Sequence, residues 1–357
     1  MNSNVKIVVE NISGTQLGEF TKARDISHTR FINSVGELVF RISKDDPKFS
    51  LLSGLKTHLS VYDEGTRVWR GVFDFYREDK NDFVIFASTF ESLLDYYLVD
   101  PTAIGTSSVR TFTAKKIGTQ IADVLFDEAV AKSNSLLSAF TQGTIQNPYE
   151  EGTTTEMVVN MEFNFETVFQ AIAYCAAAGG ADFEITFNKQ FNFLRRKGSN
   201  KDNVVLYFRK GEISNLRDYQ REVDYRRISN KLYAFGVGYG ANYLKSSITD
   251  ATSQSTYGLL EGSLGMPKVL VDQDTLDKAV ADQIEVTKEP SEIVSPIVVP
   301  ARIGLYDGWD LGDNIYIDIE DGQTDIYAQR RIVGVQVNYT NEKARSVYTY
   351  LDLPRDA

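Results

Sequence analysis

Apolar and polar positions alternate through most of the first hundred residues. Trp69, Gly71, Phe73 and Phe75 fall on one face of a strand, and Arg70, Val72, Asp74 and Tyr76 on the other, the period of two that a pleated backbone imposes. The N-terminal run Met1 to Glu10 reads as the first strand. Thr57 to Tyr62 ends at the turn cluster Asp63-Glu64-Gly65-Thr66, which predicts a hairpin. Asp82 to Ala87 is a further strand. From Ser88 to Tyr97 the period changes: Phe90, Leu93, Leu94 and Tyr97 recur at three and four, with Ser88 or Thr89 as N-cap and Glu91 in the first turn. Several strands and one short helix predict a small barrel.

The next stretch is of another kind. Thr113 to Ser133 places Ile117, Ile121, Val124 and Leu125 on one helical stripe. Thr141 to Thr155 is polar and turn-rich and reads as a surface loop. A second helix is expected over Phe165 to Ala178, stopped by Gly179-Gly180. Phe183 to Phe187 and Phe191 to Arg195, joined by Asn188-Lys189-Gln190, form a hairpin. Phe183, Ile185 and Phe187 should share the face that packs on the two helices.

Strand patterns return at Val204 to Phe208, Lys231 to Gly238, Asn314 to Ile319, Ile326 to Tyr339 and Arg345 to Leu353. Ser246 to Glu289 interrupts them with a helix over Thr275 to Thr287, carrying Leu276, Ala279, Val280 and Ile284. The expected fold is mainly β with an α+β insert. Its parts are a first β-barrel module (1–105), the insert (106–202), and a second barrel (203–245 and 290–357) split by an insertion (246–289).

Composition narrows the function. The 357 residues carry 38 basic and 49 acidic side chains, a net charge of −11, which disfavours general nucleic-acid binding. With 21 Phe and 19 Tyr there is ample core material for strands. The one cysteine, Cys175, lies in an apolar helical run and reads as a small hydrophobe. No apolar run reaches the length of a membrane span, and the N-terminus lacks a secretion signal, so assembly in a cytoplasm is expected.

The order of these signals resembles the hub proteins of phage tails and baseplates. The first module carries Arg30, Asn33, Gly36, Leu38, Phe40, Ile42, Asp46-Pro47, Leu52, Gly54, Val61-Tyr62, Gly65, Val68, Gly71 and Leu93-Leu94 in the family's order. Asn230 to Gly236 is similar to the strand that opens the second barrel. Tyr257-Gly258, Leu311 to Ile317, Arg330 to Val335 and Ser346 to Leu353 follow. The resemblance implies two hub-type β-barrel modules per chain and a homotrimer whose six modules make a pseudo-six-fold ring. It implies a structural protein of the virion tail, assembled in the host cytoplasm, that touches tail tube, distal tail and tail-tip or spike proteins. Genomic DNA would pass the lumen without specific binding. Hubs that digest cell walls carry further C-terminal domains; none is expected after the last strand, which ends close to Ala357.

Candidate chemistry is sparse, and neither catalytic, metal-binding nor cofactor-binding residues are expected. His28 and His58 have no metal-ligand spacing. Gly236-Val237-Gly238-Tyr239-Gly240 lacks the full dinucleotide-loop spacing and reads as a bend leaving a strand. Asp310 with Asp313, Asp318 with Glu320 and Asp321, and Asp272 with Asp274 are the carboxylate groupings that glycoside hydrolysis would need. Turn chemistry explains each, and Asp272-x-Asp274 lacks the rest of a calcium loop. The basic clusters Arg195-Arg196-Lys197, Arg226-Arg227 and Arg330-Arg331 read as solvated strand ends or subunit salt bridges. The alternatives to a hub are a carbohydrate-binding receptor protein at the tail tip, stacking sugars on Tyr and Trp, and a cell-wall-degrading tail enzyme.

Overall fold

The computed structural model describes residues 5–100, 109–150, 152–236, 244–264, 273–298, 308–339 and 345–352. Val237 to Gly240 of the glycine run, Asp272 of the carboxylate grouping and the end of the final strand at Leu353 lie outside them.

The first part contributes β1 (Val5–Asn11), β2 (Gln16–Phe20), β3 (Arg24–Phe31), β4 (Glu37–Ser43), β5 (Thr57–Asp63), β6 (Thr66–Glu78) and β7 (Asp82–Thr89). The β5–β6 turn has Glu64 at φ 50° and Gly65 at φ 86°, the positive pair that matches the twist of a tight hairpin. β6 alternates as its sequence predicts only as far as Phe73. A bulge between Phe73 and Phe75 resets its register against β7, so Phe75 leaves the core face and is 57% exposed. The helix at Ser88–Tyr97 is shorter and tighter, a 3-10 helix over Phe90–Tyr96. Neither proposed cap holds it: the Thr89 hydroxyl instead accepts from the Gly36 N–H at 3.0 Å.

The insert holds β8 (Arg110–Lys116), α1 (Asp123–Val130), β9 (Thr141–Ile145), β10 (Val158–Phe163), α2 (Val168–Gly179), β11 (Asp182–Ile185) and β12 (Gln190–Leu194). Two expectations are corrected here. The helix predicted from Thr113 begins only at Gly118, because the preceding residues pair with β10 as strand β8. The predicted loop Thr141–Thr155 contains β9, which pairs in parallel with β12, a partnership no local pattern announces. α2 starts at Val168, where Thr167 and Gln170 form a capping box, and ends at left-handed Gly180. Phe183 and Ile185 are buried against the insert core. Phe187 is not on that face: it lies past the strand end, with Arg30 5.6 Å above its ring.

The last part contains β13 (Asn200–Arg209), β14 (Leu216–Asp224), β15 (Lys231–Phe235), β16 (Lys245–Thr249), α3 (Ala251–Tyr257), β17 (Glu261–Leu264), α4 (Gln273–Thr287), β18 (Ser291–Val298), β19 (Asn314–Glu320), β20 (Asp325–Tyr339) and β21 (Arg345–Asp352). β15, expected to open the second barrel, pairs instead with β16 and β17 in a separate three-stranded sheet. Leu232 and Ala234 of β15 are buried in the same core as Leu276, Val280 and Ile284 of α4. Apolar burial on α4 draws this strand out of the large sheet.

Thirteen strands form that large sheet, and β20 joins its two halves by pairing with β3. One core runs through both: Leu38, Phe40, Ile42 and Trp69 share it with Ile317, Val335, Val337 and Leu351. Burying side chains of this size contributes about 1.5–3 kcal/mol each. No helix among the described residues is long and apolar enough to cross a membrane.

Candidate functional site

A cleft of about 310 Å³ opens where the first part, the insert hairpin and the last part of the chain meet. Arg30, Arg70 and Glu91 reach it from the first part, Glu184, Phe187 and Lys197 from the insert side, and Asp310 from the loop before β19. Each charged group already has a partner. Arg30 donates to Asp310 at 2.7 Å, Lys197 to Glu184, and Arg70 to Glu10 and to the Phe187 carbonyl, both at 2.6 Å.

Beneath the cleft, buried polar contacts clasp the β11–β12 hairpin. Asn33 accepts from the Phe183 N–H at 2.6 Å and donates to the Ala181 carbonyl at 3.0 Å. The Glu91 carboxylate accepts from the Ile185 N–H at 2.7 Å, and Lys189 donates to the Ile12 carbonyl. Arg331, 2% exposed, donates to Asp182, 1% exposed, at 2.5 Å. The same carboxylate accepts from the Lys197 N–H at 2.6 Å. Gly198 and Gly312 make this crossing possible, because a Cβ on Gly198 would come within 2.2 Å of the Gly312 carbonyl carbon.

The electrostatics follow from burial. Burial raises the Glu91 carboxyl, only partly countered by the Ile185 N–H. Asp310 would also be raised by burial, but Arg30 and then Lys197 hold it below the usual carboxylate range. Burial, with Lys189 and Arg70 nearby, pushes His58 down to about 3. Burial lowers Lys189 to about 8, Arg70 adding to the shift and Glu10 opposing it. A raised and a lowered carboxyl in one cleft is the division that acid–base catalysis uses. Here, however, Glu91 holds a backbone N–H, and Asp310 and Glu184 are bound to cations. The arrangement is that of a joint.

The other singled-out residues do not converge on this cleft. Asp313 accepts from the Ser199 and Asp310 N–H groups at 2.7 and 2.9 Å. Asp318 receives both terminal nitrogens of Arg209. Asp321 caps the turn at Gln323 and Thr324; the Tyr219 hydroxyl and these N–H groups bring it to about 2. Cys175 is buried 3.8 Å from the Met161 sulfur, and burial pushes its thiol up. His28 sits in the sheet core, lowered to about 3 by burial and then Arg30. Arg195 lies 3.6 Å over the Tyr149 ring, Arg226 binds Asp224 at 2.8 Å, and Arg330 binds Glu292 at 3.0 Å. Arg331 corrects the solvated-strand-end reading, since its charge is buried in the joint. Among the described residues no three His, Cys, Asp or Glu side chains gather as metal ligands. Sequence reasoning missed Arg70, Asp182 and Lys189; a charged residue inside a largely apolar run of strand, as Arg70 is between Val68-Trp69 and Gly71-Val72-Phe73, was the available signal.

No protein-family model matches the sequence, and no curated protein sequence matches it. The solved structures do. A tail protein from Neisseria meningitidis superposes with a TM-score of 0.65 at 13% identity, covering 99% of this chain and 97% of its own. The 43 kDa tail protein of prophage MuSo2 from Shewanella oneidensis gives 0.62 at 15% identity, with 98% of both chains covered. A prophage tail protein from Listeria monocytogenes gives 0.57 at 14% identity, covering 97% and 94%. The chain therefore has the fold of phage tail proteins, the kind that its ordered sequence motifs resemble.

Proposed function

We propose that this chain is a structural hub subunit of a bacterial-virus tail, closing as a homotrimer into a ring between tail tube and tail tip. The observation that carries the reading is the end-to-end likeness of fold to three tail proteins, each covered over at least 94% of its length. The joint is consistent with it: buried charges that satisfy one another hold three parts of the chain at fixed angles, as a ring subunit requires. Two β-rich modules per chain would give six around a threefold axis, and closed cyclic symmetry is the usual solution for rings. The division into first module, insert, second module and insertion is part of the proposal, with the Lys231–Phe235 strand assigned to the insertion.

DNA would pass the lumen without being held. A net charge of −11 supplies acid for a repelling wall, and Arg195, Arg226 and Arg331 are engaged with Tyr149, Asp224 and Asp182. Particle reconstruction and light scattering test the reading. Three copies per tail around a neutral or acidic channel are expected; a monomer in the particle, or a lumen lined by Arg195, Arg196, Arg226 and Arg227, overturns it. A second reading has one observation in its favour. Tyr327, 69% exposed, stacks on Tyr316 at 5.4 Å beside Asp318, an arrangement on which a sugar ring could rest, and glycan-array binding lost in Tyr327→Ala would support it.

A further inference from the structure

Strand β6 outruns its neighbour. β5 pairs with it only from Thr66 to Val72, whereas β7 pairs along it as far as Glu78. Among the described residues no strand lies against the other side of Phe73–Glu78; the short turn Gly54–Lys56 packs beside β6. At the hairpin end the Asp79 N–H donates to the Asp82 carbonyl at 2.9 Å. Antiparallel alternation then turns the main-chain groups of Arg77 toward β7, and those of Tyr76 and Glu78 toward the open side.

Both faces of this edge are aromatic. The bulge presents Phe75 outward, stacked on Phe86 with centroids 4.4 Å apart and planes 9° apart. On the other face Tyr76, 48% exposed, meets Phe83 and Phe49 edge-on at 5.4 and 4.9 Å. Arg77 lies 5.9 Å over Phe86, and Lys44 5.9 Å over Phe83. Arg77 contacts Asp79 at 3.3 Å yet keeps 60% of its side chain exposed. The sheet's terminal strand β2 is protected differently: Lys48 donates to its Glu19 carbonyl at 2.6 Å, the usual blunting of an edge by lysine.

We propose that the Phe73–Glu78 edge accepts an extended strand from a neighbouring protein, apolar on both faces and flanked by acidic residues. Unpaired main-chain groups supply the hydrogen bonds and the two aromatic faces grip alternate side chains, as in strand addition to a sheet edge. Lys44 is held by Glu78 at 2.5 Å, so the largely exposed Arg77 guanidinium sets the preference for flanking acid. A second copy of the same edge fits poorly. The antiparallel register that pairs Tyr76 with Glu78 in both directions sets Arg77 opposite Arg77, and like charges directly opposed destabilise. That the neighbour is another tail protein rests on the function proposed above; the edge itself does not.

Hydrogen exchange at Tyr76 and Glu78 tests this in the full chain, alone and in the assembled tail. Both amides should exchange at least about tenfold more slowly in the tail. Glu78→Pro removes an outward N–H and no internal one, so it should sharply reduce incorporation while thermal unfolding of the isolated chain barely moves. Phe75→Ser, which leaves the backbone intact, gives the same readout if the proline variant unfolds. A capped valine–threonine peptide, N-methylated along one side and ending in aspartates, is the strand probe for the isolated chain and should slow the same amides. Unchanged exchange in the tail overturns the proposal. If the chain occurs in no tail, the functional reading fails and the peptide decides the fate of the edge: slowed exchange supports it, and none overturns it.

Discussion

Parts of this chain meet in two places, and the two are built in opposite ways. Along the β3–β20 seam, Ile26, Leu38, Val335, Val337 and Tyr339 are all at most 5% exposed and merge the halves into one core. At the joint beneath the insert, Asn33, Arg70, Glu91, Lys189 and the Asp182–Arg331 pair make the contacts. Apolar burial stabilises in proportion to area and is tolerant of small shifts. A buried charge must meet its partner in one geometry or bear the cost of desolvation. The seam therefore supplies cohesion, and the joint fixes orientation.

The largest expected effect probes both places through their histidines. His28 lies in the seam and His58 in the joint, and no ring nitrogen of either has a hydrogen-bond partner. The unfolded chain takes up protons near 6.5, the folded rings only at about 3. Stability is thus complete above pH 7, falls as pH drops through 6.5, and finishes falling near 3. At about 1.4 kcal/mol per pH unit, each histidine accounts for on the order of 5 kcal/mol. Urea unfolding at pH 7, 5 and 4 should show the slope. Between pH 7 and 5, above most carboxyl titration, His28→Leu and His58→Leu should each remove about half of it.

Arg331→Ala strands the buried Asp182 carboxylate and should cost about 3–5 kcal/mol in denaturant unfolding. The double variant Asp182→Leu with Arg331→Met should recover much of that loss while loosening the insert, visible as faster amide exchange in β11. Full recovery with unchanged exchange would mean that the ion pair orients nothing. Asn33→Ala leaves two backbone groups of the hairpin unpaired, for about 1–3 kcal/mol. The smallest effect belongs outside both contacts: Phe75→Ala should cost the isolated chain about 0.5–1.5 kcal/mol, the worth of its half-exposed stack on Phe86.

Part of the apolar core that the seam merges was legible in the sequence because its signal is local; the meeting of β3 with β20 was not. The alternation of Trp69 with Phe73 and the Asp63–Thr66 turn follow from residues a few positions apart. The joint was not. Asp182 and Arg331 are 149 positions apart, and neither carries a mark of its partner. Glu91 reads as an ordinary first-turn acid, and only the arrival of Ile185 above it shows what it holds.

From the sequence alone came the strand and helix periods, the turn at Gly65, the cap at Gly180 and the mainly-β class, because each is set by near-neighbour sterics and burial patterns. Tertiary structure alone decided that Phe75 faces out, that β9 pairs with β12, that β15 leaves the large sheet for α4, and that five buried polar side chains and the half-buried Asn33 lock the insert. Those outcomes depend on which distant backbone edge or charge a residue meets. Register and partnership are properties of pairs of segments, whereas a hydrophobic pattern describes one segment at a time.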